Sequence, residues 1–262
     1  MARVKEGLTS VKGFINGMSH YTMEGRNFVK NSSAPDPERL ATDPVYAKVR
    51  MNYRLFGSIS NVVKPFRTVL QQTFGDAMKN RINGQLAALF RKMVMVFPDN
   101  VTFSLLHHKA FLQSIVFHDK RNFDQTAYMS FELRCDHDRR NMHLKLTPFQ
   151  HSRKKGETAR THFRLTLAVL PFADHVRKVS QESIDFEPIE NAWHAKLITA
   201  DSGYMDVSGL KKSQTLTLEI PKAACTKHTS LVVLLHLSFY EQVNGTMYPF
   251  SSESVLKVAE VF

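Results

Sequence analysis

Residues 86–106 read LAALFRKMVMVFPDNVTFSLL, and the hydrophobic period changes inside this stretch. Before Pro98 the apolar side chains recur at helical spacing, with Leu86, Phe90 and Met93 on one face. After Pro98 the period shortens toward two, which is typical of strands. The change predicts an α+β chain that is mainly helical before this point and built from strands after it.

Two amphipathic helices are predicted upstream of Pro98, with Gly75 closing the first and the second covering about 77–96. The first helix begins with Asp43 as its N-cap and Pro44 at the first helical position. Its apolar seam has spacings of three, four and seven residues, because the polar Asn52 occupies one seam position. The seam consists of Val45, Val49, Phe56, Ile59, Val63, Phe66 and Leu70. The short connection predicts an antiparallel helical pair.

Residues 13–30, upstream of the helices, predict a β-hairpin with Glu24-Gly25 as its turn. Gly13 and Gly17, inside or beside a strand, predict close backbone approach or a bulge. A lone hairpin is only marginally stable in water, so this one must dock on the same chain or on another subunit.

Ten short strands without intervening helices are predicted after Pro98, and turn signals such as Asn244-Gly245 separate several of them. They lie near 101–106, 111–118, 127–135, 141–148, 161–171, 193–199, 204–208, 214–220, 229–241 and 252–261. The pattern favours an antiparallel β-sandwich, either one large unit or two small Ig-like units. We therefore expect two domains, 1–98 and 99–262, with a possible further division near 150–160 at the basic loop Arg153-Lys154-Lys155-Gly156.

Positive charge is concentrated at the front of the chain. Residues 1–96 carry 15 Lys and Arg against 6 Asp and Glu, residues 97–160 carry 11 against 7, and residues 161–262 carry 9 against 11. The three segments therefore have net charges of +9, +4 and −2 within a total of +11. A basic N-terminal third joined to a near-neutral C-terminal part suggests that the N-terminal third binds a partner, either a protein or a phosphate group.

The sequence lacks the patterns of several common catalytic and cofactor sites. It has no Gly-x-Ser-x-Gly elbow, phosphate-binding P-loop, His-Glu-x-x-His pair or Gly-x-Gly-x-x-Gly fingerprint. We therefore expect no enzymatic activity, no catalytic residue and no cofactor. Cys135 and His137 could form a zinc site with Cys225 and His228, but their spacing is not that of a structural zinc motif. Two reduced, packed thiols are favoured over zinc or a single disulfide, and no metal site is expected.

No apolar run approaches the length of a membrane span, and the N-terminal residues lack the apolar core of a secretion signal. We expect a cytoplasmic protein without a membrane span. Export by a route that needs no such signal remains an alternative.

Three stretches resemble a family of uncharacterised proteins from Bacteroidetes. They are Gly13-x3-Gly17-x3-Tyr21-x3-Gly25-x2-Phe28-Val29-Lys30, Thr161-His162-Phe163-Arg164-Leu165 and Phe239-Tyr240-Glu241-Gln242-Val243-Asn244-Gly245-Thr-Met-Tyr248-Pro249. The match covers the chain in order and is weakest over 99–160. The resemblance implies the order glycine-patterned hairpin, helices and β-sandwich, and implies no activity. Some relatives with a similar N-terminus resemble phage or mobile-element structural proteins.

Two functions from different classes follow as hypotheses. The leading one is a non-enzymatic structural or assembly protein that self-associates through its N-terminal module, as a homo-oligomer or polymer. Its expected interface residues are Gly13, Gly17, Tyr21, Gly25, Phe28 and Asn52. The alternative is a nucleic-acid-binding protein that uses the basic helices of residues 44–96, through Arg50, Arg54, Lys64 and Arg67. An acidic protein is a third possible partner for the same charges.

Overall fold

The computed structural model of the chain describes residues 2–3, 13–23, 26–31, 36–78, 82–96, 102–118, 121–127, 129–150, 160–179, 184–190, 193–250 and 253–262. The chain forms two compact units, Met1–Asn52 and Tyr53–Phe262. The predicted boundary at residue 98 therefore falls inside the second unit.

The helices include two long ones, α2 and α3. Within the described residues they are α1 (Pro37–Thr42), α2 (Ala47–Phe74), α3 (Ile82–Val96), α4 (Lys109–Gln113) and α5 (Phe123–Thr126). Short 3-10 turns occupy Pro44–Tyr46, Gly75–Ala77, Leu106–His108 and Lys222–Ala224. Within the described residues, no helix combines the length and the apolar composition needed to span a membrane.

The strands pair antiparallel throughout the described chain. In chain order they are β1 (Ala2–Arg3), β2 (Gly13–Ile15), β3 (Met18–Met23), β4 (Arg26–Asn31), β5 (Thr102–Phe103), β6 (Phe131–Cys135), β7 (Asn141–Leu146), β8 (Phe149–Gln150), β9 (His162–Ala173), β10 (His175–Val179), β11 (Ile184–Pro188), β12 (Ile198–Asp201), β13 (Met205–Asp206), β14 (Gly209–Leu210), β15 (Gln214–Glu219), β16 (Thr229–Val243), β17 (Thr246–Pro249) and β18 (Val255–Val261). The predicted α+β class with an antiparallel β region is confirmed.

The second unit is built around the pair β9 and β16. Their register runs without interruption from Ala173 opposite Thr229 to His162 opposite Tyr240. β12 and β13 extend the sheet beyond β9, while β17 and β18 extend it beyond β16. The apolar run of residues 231–235 is buried on both faces, as expected when a strand lies between two layers.

The long helices cover one face of this sheet. α2 presents a buried stripe that includes Ile59, Phe66 and Leu70, because residues three and four apart share a helix face. Phe66 packs against Phe90 of α3 and against Phe172 of β9, with ring centroids 5.9 and 6.0 Å apart. The helices and the sheet therefore share one hydrophobic core, which is why residue 98 is not a boundary.

A second sheet covers the opposite face. β15, β7 and β6 form a three-stranded sheet whose inward side chains, such as Leu144 and Leu216, share a core with Leu165 and Leu235. β7 precedes the predicted division near 150–160 and β9 follows it, yet both contribute to this one core. Residues 153–156 themselves lie outside the described residues. The described β region is thus a single sandwich with helices on its outer face.

Several sequence predictions within this unit are wrong. The predicted strand 111–118 does not form: α4 ends at Gln113 and residues 114–118 are irregular. α5 also interrupts the strands, although no helices were expected there. A short apolar run such as Phe111, Leu112 and Ile115 does not distinguish helix from strand by period alone. The hairpin of β10 and β11 was missed. The predicted turn Asn244-Gly245 is confirmed, since both residues have positive φ and connect β16 to β17.

Truncation of a side chain in the shared core tests this layered arrangement. Leu235→Ala should lower the free energy of unfolding by about 2–5 kcal/mol, because it leaves a cavity between two packed layers. Thr215→Ala, on the exposed side of β15, should change it by less than about 0.5 kcal/mol. Urea unfolding measures both, and equal effects would contradict the arrangement.

A buried histidine, His175, and a half-buried one, His236, predict a pH dependence of stability. Burial lowers the pKa of His175 and of His236 from the ordinary 6.5 to about 4. Between these values the unfolded chain binds more protons than the folded chain, so stability is present above pH 6.5 and is lost as the pH falls toward 4. We expect a smaller loss between pH 7.5 and pH 5.5 in His236→Gln than in the parent, measured by urea midpoints at about these values. The exposed His137→Gln should behave like the parent, and identical losses in all three proteins would disprove the assignment.

Candidate assembly interface

The N-terminal unit contains a four-stranded sheet in the order β1, β4, β3, β2. β3 and β4 form the predicted hairpin, with Met18 opposite Asn31 and Met23 opposite Arg26. The predicted turn Glu24-Gly25 lies outside the described residues. β2 and β3 form a second hairpin, which the sequence reasoning did not predict.

The register divides the described side chains of this sheet between two faces. We call one the aliphatic face: Ile15, Met18, His20, Thr22, Asn27, Val29 and Asn31. We call the other the aromatic face: Ser19, Tyr21, Met23, Arg26, Phe28 and Lys30. The described part of the aliphatic face carries no Asp, Glu, Lys or Arg.

Tyr21 and Phe28 are the two sequence-predicted interface residues that the sheet brings together. They lie directly opposite each other on β3 and β4, and their rings stack with centroids 5.6 Å apart and planes 19° apart. A cross-strand aromatic pair of this kind contributes about 0.2–1 kcal/mol, which helps to hold the hairpin but cannot replace a core.

None of the described side chains in the N-terminal unit is buried. Ile15, Met18 and Met23 are exposed by 44%, 42% and 50%, and they include apolar residues from both faces of the sheet. An antiparallel sheet ordinarily packs one face on a core. This sheet therefore leaves apolar side chains exposed on both of its faces.

Positions 13 and 17 favour glycine because of their backbone conformation, and not because another part of the chain lies close to them. Their φ angles are 127° and 75°, and a Cβ at either position would meet no atom within 4 Å. Asn16 has a φ of 48°, so Asn16-Gly17 has the two left-handed residues of a tight hairpin turn. The expected bulge or close contact at Gly17 is therefore wrong, and Asn-Gly was the signal for this turn.

The predicted seam of α2 is exposed in its first part and buried in its second. Val45, Asn52 and Phe56 are exposed, whereas Ile59 and the seam residues after it are buried. Asn52 is the last residue of the N-terminal unit and does not belong to the sheet. The spacing of apolar residues in the sequence predicted the seam of α2, but it did not indicate at which residue the seam becomes buried.

The four predicted nucleic-acid contacts differ in their surroundings. Arg50 Nη1 donates hydrogen bonds to the carbonyl oxygens of Leu40 and Asp43, at 3.0 and 2.8 Å, so this guanidinium already ties α1 to α2. Arg54 and Lys64 are exposed and Arg67 is half-buried. At about 100° per residue, the last three spread over roughly 140° of the helix circumference, too wide for a single row along the helix.

A buried polar cluster at one end of the central sheet was not anticipated from the sequence. Ser230 donates to Asp174 Oδ1 at 3.3 Å and lies 3.2 Å from the hydroxyl of Ser104. Burial raises the pKa of Asp174, while hydrogen bonds from the two serines oppose the shift. Among the described residues, neither serine hydroxyl is hydrogen-bonded to a histidine. The backbone N–H of Leu106 also donates to Ser230, which ties the turn before α4 to the sheet.

The two cysteines are thiols in this structure and both are half-buried. The Cys225 thiol donates to the carbonyl of Arg139 at 3.1 Å, and burial raises the pKa of Cys135 and of Cys225. A raised pKa disfavours the thiolate that binds metals. In the part of the chain that the structure describes, no three His, Cys, Asp or Glu side chains converge as metal ligands.

No protein-family model matches the chain, and a search of curated proteins finds no match. The resemblance to the Bacteroidetes family therefore stays a prediction.

Two glycine substitutions should act in opposite directions. Gly17→Ala should destabilise the hairpin of β2 and β3 by about 1–2 kcal/mol, because its φ of 75° is costly for a residue with a Cβ. Gly57 lies within α2 with equally open space, so Gly57→Ala should stabilise the second unit by up to about 1 kcal/mol. Amide hydrogen exchange in β3 reports the first change and urea unfolding the second. Unchanged exchange in Gly17→Ala would contradict the assigned turn.

Proposed function

We propose that this protein is a non-enzymatic structural or assembly protein that self-associates through the sheet of its N-terminal unit. The observation that carries the proposal is that no described side chain of this unit is buried, although both faces of its sheet bear apolar residues. A small sheet without a core is only marginally stable unless its apolar side chains are buried, and association with another molecule would bury them.

For a second copy as the partner, the charge distribution favours the aliphatic face over the aromatic face as the contact. The chain has a net charge of +11, so two copies repel each other overall and a contact must avoid bringing basic residues together. The described aliphatic face has no Lys or Arg, whereas the aromatic face carries Arg26 and Lys30. Two aliphatic faces can therefore pack sheet on sheet without juxtaposing like charges.

The size of the sheet sets the expected strength of association. β3 and β4 are six residues long, about 20 Å, and four strands span about 14 Å between the outer ones, whereas β1 and β2 are much shorter. One face is therefore less than about 300 Å² in flat area, below the roughly 500 Å² per partner of a stable specific interface. We therefore expect concentration-dependent association rather than a permanent dimer.

A charge placed on one face or the other provides a matched test. Met18→Lys and Met23→Lys make the same substitution on the same strand, at positions of similar exposure on opposite faces. Met18→Lys should lower the average mass in sedimentation and light scattering, because two lysines would meet at the contact. Met23→Lys should associate like the parent.

Three other results would lead to different conclusions about the contact or the partner. Loss of association in Met23→Lys alone would move the contact to the aromatic face of Tyr21 and Phe28. A parent protein that stays monomeric at all concentrations would contradict self-association. Co-purified nucleic acid that is released by salt would instead favour the nucleic-acid alternative, since phosphate contacts weaken steeply with salt.

A further inference from the structure

The three-stranded sheet of the second unit ends at β6, whose outer edge has no strand beside it among the described residues. The order of this sheet is β15, β7, β6, so β6 pairs on one side with β7. The backbone N–H of Thr147 donates to the carbonyl oxygen of Ser130, and that of Asp136 donates to Asn141. These two bonds flank β6 in its register with β7, and they fix which residues of β6 bond to β7.

Alternate backbone groups of β6 point away from β7. Hydrogen-bonded residues alternate with non-bonded ones along an antiparallel pair, so the even-numbered residues of β6 bond to β7. The N–H and C=O groups of Phe131, Leu133 and Cys135 therefore face outward. In the part of the chain that the structure describes, these groups have no hydrogen-bond partner. Such a row of donors and acceptors is a template for a further strand.

Two other edge strands of the unit are each contacted by a helix. The side chain of Gln113, at the end of α4, donates to the carbonyl oxygen of Ala259 on β18 at 3.1 Å. Ser58 of α2 donates to the carbonyl oxygen of Ile184 on β11. Proteins commonly cover edge strands in this way, because an open edge can pair with another chain. Within the described chain, no helix side chain makes such a bond to β6.

The exposed side chains of β6 carry one negative and one positive charge. Glu132 and Arg134 both point to solvent and pair with each other, with Arg134 Nη2 2.6 Å from Glu132 Oε1. An exposed pair within one strand contributes little to stability, so replacing it by pairs with another chain costs little. Phe131, Leu133 and Cys135 are half-buried and pack against the core of the sandwich.

We propose that β6 pairs antiparallel with β6 of a second copy, with Leu133 opposite Leu133 of the other copy. The outward backbone groups then meet in hydrogen-bonded pairs, Leu133 with Leu133 and Phe131 with Cys135. Glu132 of each copy lies opposite Arg134 of the other copy. These two pairs occupy non-hydrogen-bonded positions, where side chains are closest across the strands. The contact joins two three-stranded sheets into one continuous sheet.

A second copy is the partner because the charge pattern of β6 is complementary to itself. Reversing the direction of the strand turns the order negative, positive into positive, negative, which is the requirement for a two-fold contact. The pattern also fixes the register. A shift of two residues would place Glu132 opposite Glu132 or Arg134 opposite Arg134, and like charges directly opposite each other destabilise a strand pair.

This contact does not depend on the N-terminal sheet. The two contacts use different residues, so either can be lost without the other. Where both form, each copy holds two neighbours, and a chain of copies can then grow into a polymer rather than stop at a dimer.

Charge reversal on β6 tests the contact in the full chain. Glu132→Arg places arginine opposite arginine, and Arg134→Glu places glutamate opposite glutamate. Each variant alone should show a dimer Kd about tenfold or more above that of the parent, because attractive cross-strand pairs become repulsive. An equimolar mixture of the two should regain the association of the parent, since opposite charges face each other again. Sedimentation velocity measures all four samples, and the same series in the Met18→Lys chain separates β6 from the N-terminal contact.

Lys178 and Glu187 provide the matched control. They form another ion pair whose side chains are both largely exposed, on β10 and β11. Lys178→Glu and Glu187→Arg change the net charge by the same amounts as the β6 variants. Each should associate like the parent, and mixing them should bring no gain. A mixture of Glu132→Arg and Arg134→Glu that is no heavier than either variant alone would overturn the proposal.

Residue-resolved amide exchange of the unmodified chain gives a second, independent readout. Amides of Glu132 and Arg134 should be protected at every concentration, because they already bond to β7. Amides of Phe131, Leu133 and Cys135 should exchange quickly in dilute solution and gain protection as the concentration rises. Exchange at these three residues that does not change with concentration would overturn the proposal.

Discussion

The long antiparallel pairing of β9 with β16 is the constraint on which the second unit depends. The strands are apolar on both faces over much of their length, so neither face can be left to water. Two covering layers follow from this: the helical stripe with Phe66 on one side, and the three-stranded sheet with Leu144 on the other. The helices are consequently part of the same core as the strands and do not form a separate basic module.

The same pairing also determines where charged groups meet. β18 pairs with β16, and its residues 256–259 lie beside the end of α4 and residues 121–124. This edge of the sheet brings together Lys257 and Asp124, which are far apart in the sequence and form an ion pair. His175 on β10 and the half-buried His236 on β16 both have lowered pKa values, so the stability of this unit depends on pH.

The N-terminal unit is stabilised by different interactions. Its sheet is held by strand pairing, tight-turn chemistry at Asn16-Gly17 and one aromatic stack, with no buried side chain in its described part. Such a sheet gains little from the hydrophobic effect within one chain. Association through a face free of Lys and Arg would supply the missing burial in a protein of net charge +11.

Sequence reasoning succeeded where the pattern was long and local. The strands near 161–171 and 229–241 and the helix capped by Asp43 were predicted because their periods or caps are strong, and Asp43 Oδ1 does accept the N–H of Val45. It failed for α4, where a short apolar run fits two periods. It also failed where the partners of a side chain come from another element. Arg50 was predicted as a phosphate contact, because a charge count does not reveal the carbonyl oxygens of Leu40 and Asp43 to which it donates.

Hydrogen exchange of the full chain at several protein concentrations tests the contrast between the two units most directly. We expect amides of β9 and β16 to be strongly protected at every concentration, because their protection comes from a core within one chain. Amides of β3 and β4 should be weakly protected in dilute solution and should gain protection as concentration rises. Strong protection of β3 and β4 that does not change with dilution would mean that the N-terminal sheet is stable without a partner, and would contradict the central claim.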